Sequence, residues 1–213
     1  EALNLPWLLH ANGQAAWAPE RPETFPPIIL GGSNAFAAQC LVRQNGEAVP
    51  DAMFFGEAEE SLPTFIHRWP NTRGSKRERL HQAAEGLDGF WVTGAWPAAP
   101  VRQAVFRSPA TRASLQPLPD VETAGTVRIA VSAGCAAFCS FCFEGYERKP
   151  YREFSVSDVL LMARNLKASC GASVAELDAF NLNTFKDLAP LVETCVRIFD
   201  RVAFKSQRAD GIA

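Results

Sequence analysis

Three cysteines within eight residues are the feature that most constrains this chain. Cys135, Cys139 and Cys142 have the spacing C-x3-C-x2-C, and they follow the apolar run Val127–Val131. That run predicts a buried strand, so the cysteines lie on the loop that leaves it. Thiolates are the usual protein ligands of iron–sulfur clusters. The motif therefore predicts a cluster in which one iron has no protein ligand and can bind a small molecule.

A structural zinc site is the alternative interpretation of the same cysteines. Zinc prefers four closed ligands, commonly two paired C-x2-C or C-x2-H knuckles. A second knuckle is absent from the sequence, and no histidine follows His81. We interpret the other cysteines, Cys40, Cys170 and Cys195, as small buried hydrophobes in a reducing compartment. A ferredoxin-like electron carrier is less favoured, because a fourth cysteine ligand is missing.

Composition and charge exclude several classes of protein. Of 213 residues, 47% are apolar and 21% are charged, which excludes a wholly disordered chain. The formal net charge of −2 provides no global basic field, so nucleic acid is not indicated as a partner. No run of about 18 apolar residues is present, so we expect no membrane span. Without a visible export signal, we expect a cytoplasmic protein.

Residues 1–70 predict part of a doubly wound α/β domain. Apolar runs at residues 28–30 and 52–55 predict strands that end in glycine. A helix is predicted after each strand, from Ser33 to Val42 and from Glu57 to Trp69. Such strand–glycine–helix units are typical of a parallel sheet.

Residues 71–125 are predicted to be a proline-rich connector that contains a helix at 77–87 and short strands at 90–92 and 101–106. Residues 126–213 then alternate strand, long loop, helix, strand, helix and strand, with the first helix capped by Ser155 and the second at 184–199. This order is typical of the first units of a parallel βα barrel or an open sheet. The chain begins with Glu1 rather than Met and ends soon after a strand-like run, so we expect a fragment.

The cysteine loop resembles the signature loop of the radical S-adenosylmethionine (SAM) superfamily. The resemblance rests on the three cysteines, on Phe141 before the last of them, and on the position of the loop after the first barrel strand. It implies that Cys135, Cys139 and Cys142 hold a [4Fe–4S] cluster whose open iron is chelated by SAM. It also implies that Phe141 lies against the adenine. Reduction of the cluster then cleaves SAM to a 5′-deoxyadenosyl radical that abstracts a substrate hydrogen.

The family resemblance also suggests SAM contacts at the end of the second barrel strand. In the family this strand often ends in a glycine-rich acidic motif, whereas residues 176–181 read ELDAFN here, without the glycines. Asp178 and Asn181 are the candidate contacts. The alternative is a strand-end turn in which Asn181 is a local cap.

Polar residues also follow the third barrel strand, where ligands of parallel α/β barrels bind. Residues 205–208 read KSQR, and Ser206 and Arg208 are candidates for the SAM ribose or carboxylate, because an arginine pairs well with a carboxylate. A solvated polar loop is the alternative. We interpret the basic run at residues 148–152 as a solvated face rather than as a partner of an anionic substrate or cluster.

The first 70 residues are similar to the last two strand units of the cobalamin-binding domain that precedes many radical SAM cores. The similarity rests on the Gly31-Gly32 turn and on the G-E-x-E element at residues 56–59. It implies that the backbone of Gly31 and Gly32 approaches the nucleotide tail of cobalamin. Domains that ligate cobalt use an Asp-x-His-x-x-Gly loop, and none of the three histidines lies in such a motif.

Together these resemblances imply a radical SAM enzyme of the cobalamin-binding-domain class. The implied chemistry is hydrogen abstraction from an unactivated carbon of a small-molecule or peptide substrate, followed by methyl transfer or rearrangement. A low-potential electron donor is the implied partner. An RNA-modifying methylthiotransferase is the second candidate, although such enzymes carry further N-terminal cysteines and only Cys40 lies there. A non-catalytic zinc-binding module is the third.

Overall fold

The chain divides into two units, Glu1–Phe106 and Arg107–Ala213, so the division falls inside the predicted connector. The computed structural model describes residues 3–33, 35–106 and 125–209, and residues 107–124 of the predicted connector lie outside this range. Both units combine helices with small sheets, mixed in the first unit and mostly parallel in the second, which confirms the predicted α/β class. In the described part of the chain, no helix is both long enough and apolar enough to cross a membrane.

Both units contain α-helices and short strands. The described part of the first unit contains α1 (Asn4–Ala11), β1 (Ile29–Leu30), β2 (Ala52–Phe54), α2 (Ala58–Arg68), α3 (Lys76–Ala84) and β3 (Phe90–Val92). The described part of the second unit contains β4 (Thr126–Ala130), β5 (Ser132–Ala133), α4 (Phe143–Glu147), β6 (Arg152–Glu153), α5 (Val156–Cys170), β7 (Val174–Asp178), α6 (Leu188–Cys195) and β8 (Arg201–Phe204).

The sheet of the first unit is mixed rather than wholly parallel. β1 pairs in parallel with β2, whereas β3 pairs antiparallel with β2. The cause is that two helices, α2 and α3, lie between β2 and β3, so the chain returns to the sheet running in the opposite direction. β3 comes from the predicted connector, and that segment therefore adds a strand to the sheet as well as joining the units.

Two predicted elements of the first unit are wrong. The predicted helix from Ser33 to Val42 is only a short 3-10 helix, Ala37–Leu41, and no side chain caps its start at Phe36. The predicted strand at residues 101–106 forms one isolated bridge, between Ala104 and Gly56. By contrast, α3 begins at a complete capping box, in which Ser75 and the Glu78 carboxylate each accept the other's backbone N–H.

A buried ion cluster joins distant segments of the first unit. The Asp51 carboxylate lies 2.9 Å from Arg21 Nη2 and 3.5 Å from Lys76 Nζ, and all three side chains are buried. Asp51 also accepts the backbone N–H of Ile28, and Arg21 donates to the carbonyl of Val49. Because the carboxylate is the shared partner of both cations, its removal would leave two buried charges uncompensated.

Replacement of Asp51 by alanine is expected to lower the free energy of unfolding by about 3–5 kcal/mol, the usual cost of breaking a buried ion pair. The matched control is Asp88→Ala, because Asp88 pairs with Arg102, whose side chain is 81% exposed. That control should change stability little. Urea denaturation of the whole chain measures both, and equal losses in the two variants would contradict the structural role of the cluster.

Alternation of side chains builds the core of the second unit. β4, β7 and β8 form a parallel sheet in that order, with Val127 opposite Ala175 and Ile129 opposite Leu177. These four residues are buried and belong to one apolar cluster that includes residues of α5 and α6. Along β4 and β7 the intervening residues lie on the other, more open face.

The helices of this unit begin where the sequence supplies a signal. Ser155 caps α5 by accepting the backbone N–H of Asp158, as predicted, and Gly171 ends it in the left-handed conformation. α6 is shorter than the predicted helix at 184–199. It begins at Leu188, so that Pro190 lies in its first turn, where a missing N–H costs no hydrogen bond.

Candidate metal centre at the cysteine loop

The carboxyl ends of the three parallel strands lie at one edge of the sheet. The register pairs Ala130 with Asp178 and Leu177 with Phe204, so the strands also end close to one level. The cysteine loop follows β4 and β5, Asn181 follows β7, and residues 205–208 follow β8. Neighbouring strands thus bring all the predicted cluster and SAM candidates of this unit to the same edge.

Backbone contacts close the cysteine loop at its base. β5 pairs antiparallel with β6, so that residues 134–151 form a closed excursion from the sheet. Gly134 has φ of +72°, and a Cβ there would overlap the carbonyl oxygen of Arg148 and lie 2.6 Å from that of Pro150. Only glycine satisfies both the conformation and the close approach.

Lys149 ties the two sides of the loop together. Its ammonium group donates to the carbonyl oxygens of Cys135 and Ala137, the latter at 3.0 Å, and lies 3.9 Å from the ring centroid of Phe138. Arg148 Nε lies 3.2 Å from the Glu147 carboxylate. The interpretation of residues 148–152 as a solvated face is therefore wrong, because these cations make contacts within the loop.

The three thiols differ in their surroundings. Cys135 is buried, whereas Cys139 and Cys142 are partly exposed. Cys142 Sγ accepts the backbone N–H of Gly145 at 3.4 Å, and Cys139 Sγ lies 4.0 Å from Arg208 Nη1. Each of these two sulfur atoms therefore has an N–H group beside it.

The donor chemistry of the loop fits a [4Fe–4S] cluster. Three soft sulfur donors lie on one loop, and two of them are beside N–H groups of the kind that tune iron–sulfur sites. Within the described ranges, however, no three His, Cys, Asp or Glu side chains are grouped closely enough to hold a metal ion. The three thiols therefore do not converge here, and ligation of a cluster requires the loop to rearrange.

The corner formed by the ends of β7 and β8 holds most of the predicted SAM contacts. The Leu182 N–H donates to the Ser206 carbonyl at 2.9 Å, and the Arg208 N–H donates to Asn183 Oδ1 at 2.8 Å. Asn181 is only 7% exposed, and its Oδ1 has no hydrogen-bond partner among the described residues. A buried acceptor without a donor is costly, so this oxygen is suited to an N–H of a ligand.

A charged ladder crosses the open face of the parallel sheet. Glu176 Oε1 lies 2.8 Å from Arg128 Nε and 3.0 Å from Lys205 Nζ. Burial acts to raise the pKa of Glu176, but hydrogen bonds from Lys205 and Arg128 outweigh it and lower that pKa. Asp178 lies two residues further along the same face. Sequence reasoning missed the ladder, although Arg128 and Glu176 occupy the same offset within their two apolar runs.

Phe141 lies on the surface of the second unit, and Gly31 and Gly32 lie after β1 in the first unit. The Phe141 side chain is 90% exposed, so its ring is open to stack on a ligand. In the first unit, Gly32 follows β1 with φ of +91° and has open space around it, so its conformation requires glycine. A Cβ at Gly31 would make only an ordinary contact, 3.5 Å from Phe54 Cβ, so that position does not require glycine.

No protein-family model matches the chain, and no curated protein matches it.

Substitution of Gly134 by alanine is expected to open the base of the cysteine loop, because its Cβ meets backbone carbonyls that cannot turn away. The local opening free energy should fall by more than about 1 kcal/mol, as for other glycines with positive φ. Amide hydrogen exchange across residues 134–151 measures this. Gly145→Ala is the control, since its Cβ would have no contact shorter than 3.5 Å. Unchanged exchange in Gly134→Ala would contradict the assigned role.

Proposed function

We propose that the second unit binds a [4Fe–4S] cluster and SAM and serves a radical SAM enzyme that abstracts hydrogen from an unactivated carbon. One observation carries the proposal. A loop with three cysteines leaves the first strand of a parallel sheet at the edge where the next two strands end. This is the edge at which parallel α/β folds bind ligands. In this proposal the sheet is the start of a partial βα barrel.

Each candidate residue has a role at that edge. Cys135, Cys139 and Cys142 are the cluster ligands, and the cluster with SAM, when bound, supplies a hydrogen-abstracting radical. The guanidinium of Arg208 compensates thiolate charge beside Cys139. The buried Oδ1 of Asn181 accepts an N–H from the amino group of SAM.

The remaining candidates complete the proposed SAM site. The exposed ring of Phe141 would stack on the adenine. Asp178 and Ser206 supply polar contacts at the same edge of the sheet. A small-molecule or peptide substrate and a low-potential electron donor in the cytoplasm complete the proposed system.

The cysteine distribution favours one cluster over two. Cys40, the one cysteine of the first unit, is exposed on a 3-10 helix, so that unit cannot supply three thiol ligands for a second cluster. This ranks the methylthiotransferase below the proposed enzyme. A zinc-binding module is likewise ranked lower, because zinc requires a fourth close ligand.

Anaerobic reconstitution with iron and sulfide is expected to load about four iron atoms per chain. After reduction, the electron paramagnetic resonance signal should change when SAM is added, since SAM binds the open iron. Separate serine substitutions of Cys135, Cys139 and Cys142 should each abolish the signal. Cys170→Ser is the control and should retain it, because this cysteine lies at the end of α5.

Other outcomes of the same experiment separate the alternatives. Zinc without iron in protein purified without air would overturn the proposal and support the structural module. About eight iron atoms per chain would support the methylthiotransferase, which carries a second cluster.

We also propose that the first unit is a cobalamin-binding-like domain in which the backbone after β1 approaches the nucleotide tail. Equilibrium dialysis should then detect hydroxocobalamin bound to the whole chain. Gly32→Ala should weaken binding about tenfold or more, because it strains the turn by roughly 1–3 kcal/mol. Gly86→Ala is the control, since Gly86 also has a positive φ in open space. Absence of binding by the unmodified chain would contradict this part of the proposal.

A further inference from the structure

A cleft of about 600 Å³ lies beside β3 and α3 in the first unit. Its volume falls within the range of small-molecule pockets. Most of its lining is aromatic or aliphatic, contributed by Phe90, Trp91, Val92, Trp96, Pro97 and Val101. The cleft includes none of the cysteines and neither glycine of the turn after β1, so the proposed cofactor sites do not account for it.

Two stacked indoles form the aromatic wall of this cleft. The ring centroids of Trp91 and Trp96 are 5.0 Å apart, and their planes differ by 21°. Both indole N–H groups are already used, by the carbonyls of Ala95 and Gln44 respectively. Trp91 is buried, whereas Trp96 is 49% exposed. The pair therefore offers the surface of a fixed aromatic ring, at Trp96, rather than a hydrogen-bond donor.

Arg77 is an exposed cation that lines the same cleft. Its guanidinium packs against the backbone at Gly94, where an added Cβ would lie 3.0 Å from Arg77 Cζ. Across the described ranges, Arg77 makes no hydrogen bond and no ion pair and is exposed, so its planar donor group is available to a ligand. A guanidinium suits bidentate recognition of a carboxylate or phosphate.

The other polar groups of the cleft do not compete for Arg77. Gln82 uses both atoms of its amide on the backbone of Arg73. Burial, with a contribution from Arg77, lowers the pKa of His81. Glu85 follows the end of α3, eight residues after Arg77, so its Cα lies roughly 12 Å further along the helix axis. The positive end of the α3 dipole is at the Arg77 end, which further favours an anion there.

We propose that this cleft binds a small planar aromatic ring that carries a carboxylate or phosphate group. The ring stacks on Trp96, and the anionic group pairs with Arg77. Aromatic carboxylates and nucleotides share this chemistry, so the two classes are distinguished by experiment. The site is independent of the proposed cluster chemistry, because every residue that forms it belongs to the first unit.

Isothermal titration calorimetry on the whole chain, without added cofactors, tests the proposal with two matched pairs of probes. Indole-3-acetate is compared with indole-3-acetamide, and adenosine monophosphate with adenosine. In at least one pair, the anionic member should bind with 1:1 stoichiometry and at least tenfold more tightly than the neutral member. The pair that shows this preference identifies the class. Equal binding within both pairs, or no binding of either anion, would overturn the proposal.

Substitutions assign the two contacts. Arg77→Gln should remove the preference for the anion, and Trp96→Ala should weaken both members of the pair at least tenfold. Trp96→Phe, which keeps a ring, should retain binding and guards against loss of fold in the alanine variant. Arg102→Gln is the control for a general charge effect and should bind as the unmodified chain does. An anion preference that survives in Arg77→Gln would overturn the assignment.

Discussion

Parallel pairing of β4, β7 and β8 is the constraint on which the geometry of the second unit depends. Parallel neighbours need crossover connections, and here α5 and α6 supply them. Those helices cover one face of the sheet, where strand residues such as Ile129 and Leu177 are buried. Burial of each of these two side chains stabilises the fold by about 1.5–3 kcal/mol. Packing on that face therefore helps to determine where the loops at the carboxyl edge meet, and Leu182 and Phe185 of the loop after β7 belong to the same cluster.

Contacts at the base of the cysteine loop, rather than its thiols, hold the two sides of the loop together. Gly134 and Lys149 join its two sides, and the β5–β6 pair closes its base. Cys142 caps α4 and Cys139 lies beside Arg208, but neither contact closes the base of the loop. This separation explains how the loop has a defined base while its three thiols remain apart.

Local signals made part of the fold predictable. Ser155 marks the start of α5, and the alternation around Val127 marks β4, because a cap and a two-residue period act within a few residues. The antiparallel direction of β3 was not predictable, because it depends on how two helices return the chain. The candidate metal centre shows the same difference between local signals and long-range contacts. The edge that carries the cysteines was predicted from strand order, whereas the contacts of Lys149 and the Glu176 ladder depend on partners that periodicity does not reveal.

The charged ladder on the open face affects which register of the parallel strands is favoured. Glu176 bonds to cations before and after it in the strand order, from β4 and from the end of β8. A slip of one residue would turn the carboxylate toward the apolar cluster and bring Leu177 to the solvent side. Such a misaligned sheet would bury a charge without a partner, a far larger penalty than the loss of one apolar contact. The position of Glu176 therefore disfavours a one-residue misalignment of these strands.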